Sequence, residues 1–125
     1  MPTSGNAPVI LVIEGDESTR NSLVEALHRA GHAVVAAATG PQALATVESR
    51  VVSLVVSGSR LRGLSGAEVL RKLRDREARY RLPPVPFLML SGDLDPTAAT
   101  RARRLAATVS VGELVSTATE MLVPQ

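Results

Sequence analysis

The chain has 125 residues and a formal net charge of +2, with 45% hydrophobic and 21% charged residues. This length suits one domain, and the composition is typical of folded globular proteins. The lack of cysteine excludes disulfides, thiolate metal sites and cysteine nucleophiles. Two histidines disfavour a histidine-rich metal site. Because no apolar run is long enough to span a membrane and no signal segment opens the chain, we expect a cytoplasmic protein without membrane contact.

The first half of the chain predicts strands alternating with helices. Val9–Ile13 is a continuous apolar run rich in β-branched residues, which is typical of a strand buried on both faces. Residues 16–30 predict a helix, residues 32–37 a second strand, and Thr39 the cap of a second helix. We expect residues 1–7 to be a flexible segment and residues 8–123 to form a single domain.

The second half continues this alternation. Strands are predicted at residues 51–56, 85–90 and 108–111. Helices are predicted after a capping-box pattern at residues 65–68, over residues 95–106, and over residues 114–122. Buried strands alternating with amphipathic helices predict an α/β protein with a parallel sheet covered on both faces. Functional residues are then expected in the loops that follow the carboxyl ends of the strands.

Three segments carry a family resemblance: VILVIEGDESTR at residues 9–20, SRLRGLSG at 59–66 and PFLMLSG at 86–92. Together they resemble the receiver domain of response regulators in bacterial two-component signalling, over roughly residues 8–122. The resemblance implies a flavodoxin-like (βα)5 fold with strand order 2-1-3-4-5. It also implies a phosphorelay function, in which an aspartate after the third strand accepts a phosphoryl group beside Mg²⁺, two acids, a Ser or Thr, and a Lys.

The resemblance places a glycine where such domains carry the phospho-accepting aspartate. This position lies eight residues before Gly66 and is occupied by Gly58. No Asp or Glu lies between residues 50 and 67, so a shift in register does not restore an acceptor. The adjacent acid pair falls on Glu14 and Gly15, which leaves one carboxylate where Mg²⁺ needs several oxygen ligands.

The other pocket positions also differ from the family pattern. The Ser or Thr position is Ser91, and the Lys position falls on Ser110. Arg62 stands in the usual place of a proline, and Ala107 in that of an aromatic residue. We therefore predict a degenerate phosphorylation pocket, formed by Glu14, Gly15, Gly58, Ser91 and Ser110, that has no catalytic residue, metal or cofactor.

These substitutions favour a receiver-like module that is not an enzyme and acts through protein–protein contact, independently of phosphorylation. The expected partner is a histidine kinase or another signalling protein, and a homodimer is a second candidate assembly. An alternative is that the chain is the receiver part of a longer regulator with a DNA-binding output domain.

Eight of the fourteen cations lie between residues 60 and 81. This basic region predicts a partner surface on the third helix that includes Arg71, Lys72, Arg74 and Arg79. The alternative interpretation is a solvated helix face with charge pairs at helical spacing. Direct nucleic-acid binding through this region is a further alternative, although the chain has only two aromatic residues for stacking.

Overall fold

A five-stranded parallel sheet forms the centre of the computed structural model, which describes residues 8–92, 94, 96–106 and 108–123. The order of the strands is β2-β1-β3-β4-β5, which confirms the predicted fold class. The segment at residues 1–7 and Ala107 lie outside the described residues. The strands are β1 (Val9–Ile13), β2 (Ala33–Ala37), β3 (Leu54–Gly58), β4 (Phe87–Leu90) and β5 (Ala102–Leu105).

Four α-helices connect or follow these strands. They are α1 (Glu17–Arg29), α2 (Gly40–Ser49), α3 (Gly66–Tyr80) and α4 (Val111–Leu122). Each begins after an oxygen-bearing side chain that accepts a hydrogen bond from a backbone N–H in the first turn, which satisfies an otherwise unpaired donor. No helix in the described ranges has both the length and the apolar character needed to cross a membrane.

The sheet buries apolar side chains on both of its faces. On one face, α2 and α3 pack against alternate residues of the strands, including Leu11, Val55 and Phe87. On the other face, α1 and α4 cover Ile10, Val56 and other residues of the opposite parity. The continuous apolar runs in β1 and β3 therefore reflect strands that are covered on both sides.

The predicted fourth helix is wrong. Residues 96–98 form a single 3₁₀ turn, and residues 102–105 form β5 instead of continuing a helix. The alanine spacing in this segment suggested an apolar helix face. However, Ala102–Leu105 pairs in parallel with Phe87–Leu90 along its whole length, and Arg101 adopts a positive φ of 51° immediately before the strand. The strand predicted at residues 108–111 is consequently wrong as well.

The third strand lies further along the chain than predicted. It runs over Leu54–Gly58, whereas the apolar pattern indicated residues 51–56. Val51 is 85% exposed, and the strand continues through Ser57 and Gly58 because both pair with β4. This shift makes Gly58 the last residue of β3, at the edge of the sheet where functional loops are expected.

Candidate functional site

The carboxyl ends of β1, β3 and β4 bring three of the predicted pocket residues together. Ile13 is in register with Ser57, and Gly58 is in register with Leu90. Glu14 and Ser91 therefore each follow a strand that flanks β3, close to the level of Gly58. The structure thus places Glu14, Gly58 and Ser91 at one edge of the sheet.

The Glu14 carboxylate occupies the space above Gly58. A Cβ atom built on Gly58 would lie only 2.6 Å from Glu14 Oε1, a distance that real Cβ contacts do not show. The other oxygen, Glu14 Oε2, accepts a hydrogen bond of 2.9 Å from the backbone N–H of Asp16. Arg20 Nη1 donates to the Glu14 backbone carbonyl at 2.9 Å. The chain thus holds a carboxylate where a side chain at position 58 would begin.

Gly15 and Asp16 follow this carboxylate in the loop before α1. A Cβ on Gly15 would have only the Ala38 carbonyl oxygen near it, at 3.8 Å, so this exposed position is sterically open. Asp16 is the N-cap of α1. Its Oδ2 accepts hydrogen bonds from the Thr19 hydroxyl at 2.7 Å and the Thr19 N–H at 2.8 Å. These bonds lower the pKa of the Asp16 carboxyl.

The backbone of Gly58 contacts the beginning of α3. Its carbonyl oxygen accepts a hydrogen bond of 2.7 Å from Ser57 Oγ, which is fully buried. A Cβ on Gly66 would lie only 2.4 Å from the same oxygen. Gly66 N–H donates to the Ser59 carbonyl at 3.0 Å. The first turn of α3 is therefore seated against the carboxyl end of β3.

Ser91 and Gly92 both adopt the left-handed conformation, with φ values of 69° and 73°. This conformation is uncommon for a residue with a side chain. Ser91 N–H donates to the Leu105 carbonyl at 2.7 Å, which ties the end of β4 to that of β5. Arg104 Nε donates to the Gly92 carbonyl. Neither Arg104 nor Arg20 was singled out from the sequence, because their contacts depend on loop conformation.

Ser110 does not take the place predicted for it. Its assignment to the Lys position assumed a strand over residues 108–111, but β5 ends five residues earlier, at Leu105. Ser110 is instead the N-cap of α4, and its hydroxyl accepts a hydrogen bond of 3.1 Å from Glu113 N–H. The structure therefore removes Ser110 from the strand end and gives it a local structural role.

These positions offer a single carboxylate to a Mg²⁺ ion. Mg²⁺ prefers octahedral coordination by hard oxygen atoms, usually with one or two carboxylates. Glu14 supplies one carboxylate, whereas Gly15 and Gly58 supply no side chain. The Asp16 carboxylate is used in the cap of α1. Within the described ranges, no three His, Asp or Glu side chains lie close enough together to hold a metal ion.

The predicted basic surface on α3 requires one correction. Arg74 is not part of an open surface, because only 12% of its side chain is exposed and it forms an ion pair with Glu77 at 2.9 Å. Its Nη2 also donates to the Val85 carbonyl at 2.9 Å. Arg71, Lys72 and Arg79 are exposed on the same helix. The cations of α3 are therefore divided between a structural ion pair and the protein surface.

Residues 10–111 match the response regulator receiver domain family. This chain belongs to that family. The receiver domain is 33% identical over 88 residues to the transcriptional regulatory protein AfsQ1 of Streptomyces coelicolor, a match that covers 70% of this chain and 38% of AfsQ1. It is 34% identical over 82 residues to the alkaline phosphatase synthesis regulator PhoP of Bacillus subtilis, covering 66% of this chain and 32% of PhoP.

Solved receiver structures share this fold. The receiver of the hybrid histidine kinase CckA superposes with a TM-score of 0.75 and 25% identity, covering 92% of this chain and 99% of that one. The Saccharomyces cerevisiae Ssk1 receiver, crystallised with the phosphotransfer protein Ypd1, gives a TM-score of 0.80 and 20% identity over 92% of this chain and 88% of that one. The curated relatives are longer proteins, of which this chain spans 12–38%.

Gly58→Asp is expected to destabilise the receiver domain by about 1–2 kcal/mol at neutral pH, which corresponds to a pKa shift of about one unit. The Cβ of the side chain introduced at position 58 would lie 2.6 Å from Glu14 Oε1, so the two carboxylates are held close together and their repulsion raises the pKa of the introduced carboxyl in the folded chain. At pH values between the unfolded pKa and the raised folded pKa, the folded variant therefore holds a proton that the unfolded chain has already lost. The cost is therefore small below about pH 4 and grows as the pH rises through the raised folded pKa.

Urea unfolding between pH 4 and pH 8 measures this cost. Gly58→Asn is the matched control, because it adds similar bulk without charge. Combining Gly58→Asp with Glu14→Gln should remove most of the pH-dependent part. Equal, pH-independent losses for the Asp and Asn variants would show that steric conflict, and not charge repulsion, dominates at this position.

Proposed function

We propose that this receiver domain acts in two-component signalling as a protein-binding module that does not depend on aspartyl phosphorylation. The observation that carries the proposal is the position of Glu14 Oε1, 2.6 Å from where a side chain on Gly58 would begin. By resemblance, Gly58 occupies the acceptor position, and glycine has no atom that could accept a phosphoryl group. The Glu14 carboxylate would have to move for a side chain to stand at this position.

The chemistry of phosphoryl transfer supports this proposal. Transfer requires a nucleophile in line with the donor and cationic groups that stabilise the charge of the transition state. Ser57 and Ser59 flank Gly58, but the Ser57 hydroxyl is buried and donates to the Gly58 carbonyl. The loop after β1 offers one carboxylate, and Ser110 caps α4 and does not stand at the end of β5. No set of groups equivalent to acceptor, metal and ammonium is assembled in the described residues.

The proposed partner is a histidine kinase or another signalling protein, such as a histidine phosphotransfer protein. The Ssk1 receiver, which shares this fold, was crystallised with the histidine phosphotransfer protein Ypd1. A receiver that keeps this fold but lacks an acceptor could occupy the docking surface of such a protein without removing its phosphoryl group. This would make it a competitor or scaffold in a phosphorelay, and not a recipient of the phosphoryl group.

The native chain is expected to gain no phosphoryl group when incubated with acetyl phosphate and Mg²⁺, as measured by intact mass. The matched variant combines Gly58→Asp with Gly15→Asp and so restores two carboxylates beside Glu14. Mg²⁺ should raise the melting temperature of this variant by neutralising the carboxylate cluster, but leave the native chain unchanged. A phosphoryl adduct on the native chain would contradict the proposal, and mapping it would locate the true acceptor.

A second candidate function follows from the relatives. AfsQ1, PhoP and the Rhizobium meliloti regulator DctD are transcriptional regulatory proteins, and this chain matches 20–38% of their lengths. We propose as the alternative that the domain serves as the receiver of a longer regulator with a DNA-binding output domain. Sequencing the complete gene and measuring DNA binding by its full product distinguishes these two candidates.

A further inference from the structure

A groove lies at the opposite edge of the sheet from Gly58. It has a volume of about 430 Å³ and is lined by the end of α2, the residues before β3, and the turn between α3 and β4. A second hollow of about 400 Å³, between α2 and α3, shares Glu48 and Arg76 with it. The two hollows are therefore adjacent, and we call them together the α2–α3 groove.

Apolar side chains are unusually exposed at this groove. Val51 is 85% exposed and Leu82 is 39% exposed, and both line the first hollow, next to the residues before β3. Tyr80 does not line the groove but lies beside it: its side chain is 60% exposed, and the guanidinium of the lining residue Arg76 is 5.9 Å from the centre of its ring. These are three of the five large apolar side chains found exposed in the described part of the chain. Such clustering is typical of an interaction surface.

The charge around the groove is predominantly positive. Arg50 and Arg76 line the first hollow, and Lys72 and Arg79 line the second hollow, between α2 and α3. Glu48 and Asp75 oppose these four cations. A third carboxylate, Glu77, is neutralised by its ion pair with Arg74. The groove therefore combines exposed apolar side chains with an excess of positive charge.

We propose that the α2–α3 groove binds an acidic segment of a partner protein that carries large apolar side chains. Its apolar residues would cover Val51 and Leu82, and its carboxylates would face Arg79 and Lys72, where complementary charge aids encounter and register. This inference rests on the proposed function, in which the domain acts by binding a protein, and it assigns a contact surface away from the Gly58 pocket. A nucleic acid would pair its phosphates with the cations but would leave the exposed aliphatic side chains of Val51 and Leu82 without apolar contacts.

A fluorescently labelled synthetic peptide that alternates Asp or Glu with Leu or Phe is the probe. Fluorescence anisotropy is measured with the native domain at low and moderate salt. Two control peptides replace either the acids with Lys or the apolar residues with Ser. The variants are Arg79→Glu and Val51→Ser, both at exposed positions where the fold should tolerate the change. Arg103→Glu gives the same charge change on exposed β5.

Saturable, salt-sensitive binding supports the proposal if Arg79→Glu and Val51→Ser each weaken it about tenfold, a change typical of losing one good contact, and Arg103→Glu does not. The absence of binding at millimolar domain concentration would overturn the proposal. Equal weakening by Arg103→Glu, or tighter binding to a short DNA duplex that Val51→Ser leaves unchanged, would overturn it as well. These outcomes are independent of the acetyl phosphate test, so either proposal can fail alone.

Discussion

Glu77→Ala is expected to lower the free energy of unfolding by about 3–5 kcal/mol, the range found when one partner of a buried ion pair is removed. The Glu77 side chain is 9% exposed, and its carboxylate accepts hydrogen bonds of 2.9 and 3.1 Å from Arg74 Nη1. It also accepts a bond of 2.8 Å from Val85 N–H. Alanine would leave a buried guanidinium and a backbone donor without this acceptor.

The pair Arg29–Glu25 provides the matched control. It has similar spacing on a helix, but its side chains are 77% and 60% exposed. Glu25→Ala should therefore cost less than about 1 kcal/mol, as is usual for a surface ion pair. Urea unfolding of both variants at neutral pH measures the difference. Combining Glu77→Leu with Arg74→Met should recover much of the loss, because it removes both buried charges.

The hydrogen-bond partners of Arg74 could not be predicted from the sequence. Its spacing, four residues after buried Leu70, places it nearer the apolar face of α3 than Lys72, but spacing alone does not identify its acceptors. Its partners include the carbonyls of Val85 and Thr100, which lie 11 and 26 residues further along the chain. Only the packing of α3 against the segments before β4 and β5 brings these acceptors to one guanidinium.

The central strand β1 was the most predictable element of the sheet, whereas β3, which is also buried on both faces, begins three residues later than predicted. Val9–Ile13 matched its predicted bounds because continuous β-branched runs are typical of central parallel strands. The edge strand β5 contains two exposed arginines and follows an alanine-rich segment, so local propensity favoured a helix. Pairing with β4 overrides that preference. Errors in the sequence-based interpretation therefore concentrate where tertiary pairing, and not hydrophobic pattern, decides the structure.

The candidate pocket was predictable in composition but not in arrangement. The resemblance identified Glu14 and Gly58 as pocket residues, and the register of β1 with β3 brings them together. The position of the Glu14 carboxylate over Gly58 depends on its hydrogen bond to Asp16 N–H, which requires the observed turn into α1. Ser110 was misplaced because its assignment depended on the predicted position of the fifth strand.

Gly66→Ala is expected to destabilise the domain by about 3 kcal/mol, at the upper end of the usual cost of overpacking. The added Cβ would lie 2.4 Å from the Gly58 carbonyl oxygen and 2.8 Å from Met89 Sδ. The sulfur can move, but the carbonyl belongs to the last residue of β3, so α3 must shift away from the sheet. In an open helical position the same substitution would stabilise the chain by up to about 1 kcal/mol.

Gly112→Ala is the matched control for this prediction. Gly112 also lies in the first turn of a helix, but no atom other than its neighbours lies within 4 Å of an added Cβ. Thermal unfolding should therefore show opposite shifts, a higher melting temperature for Gly112→Ala and a lower one for Gly66→Ala. Shifts in the same direction would mean that the contact between α3 and Gly58 does not limit the choice of residue at position 66. Opposite shifts would show that the close approach of α3 to β3 requires glycine at position 66. The same contact holds the backbone of Gly58 in place at the base of the candidate pocket.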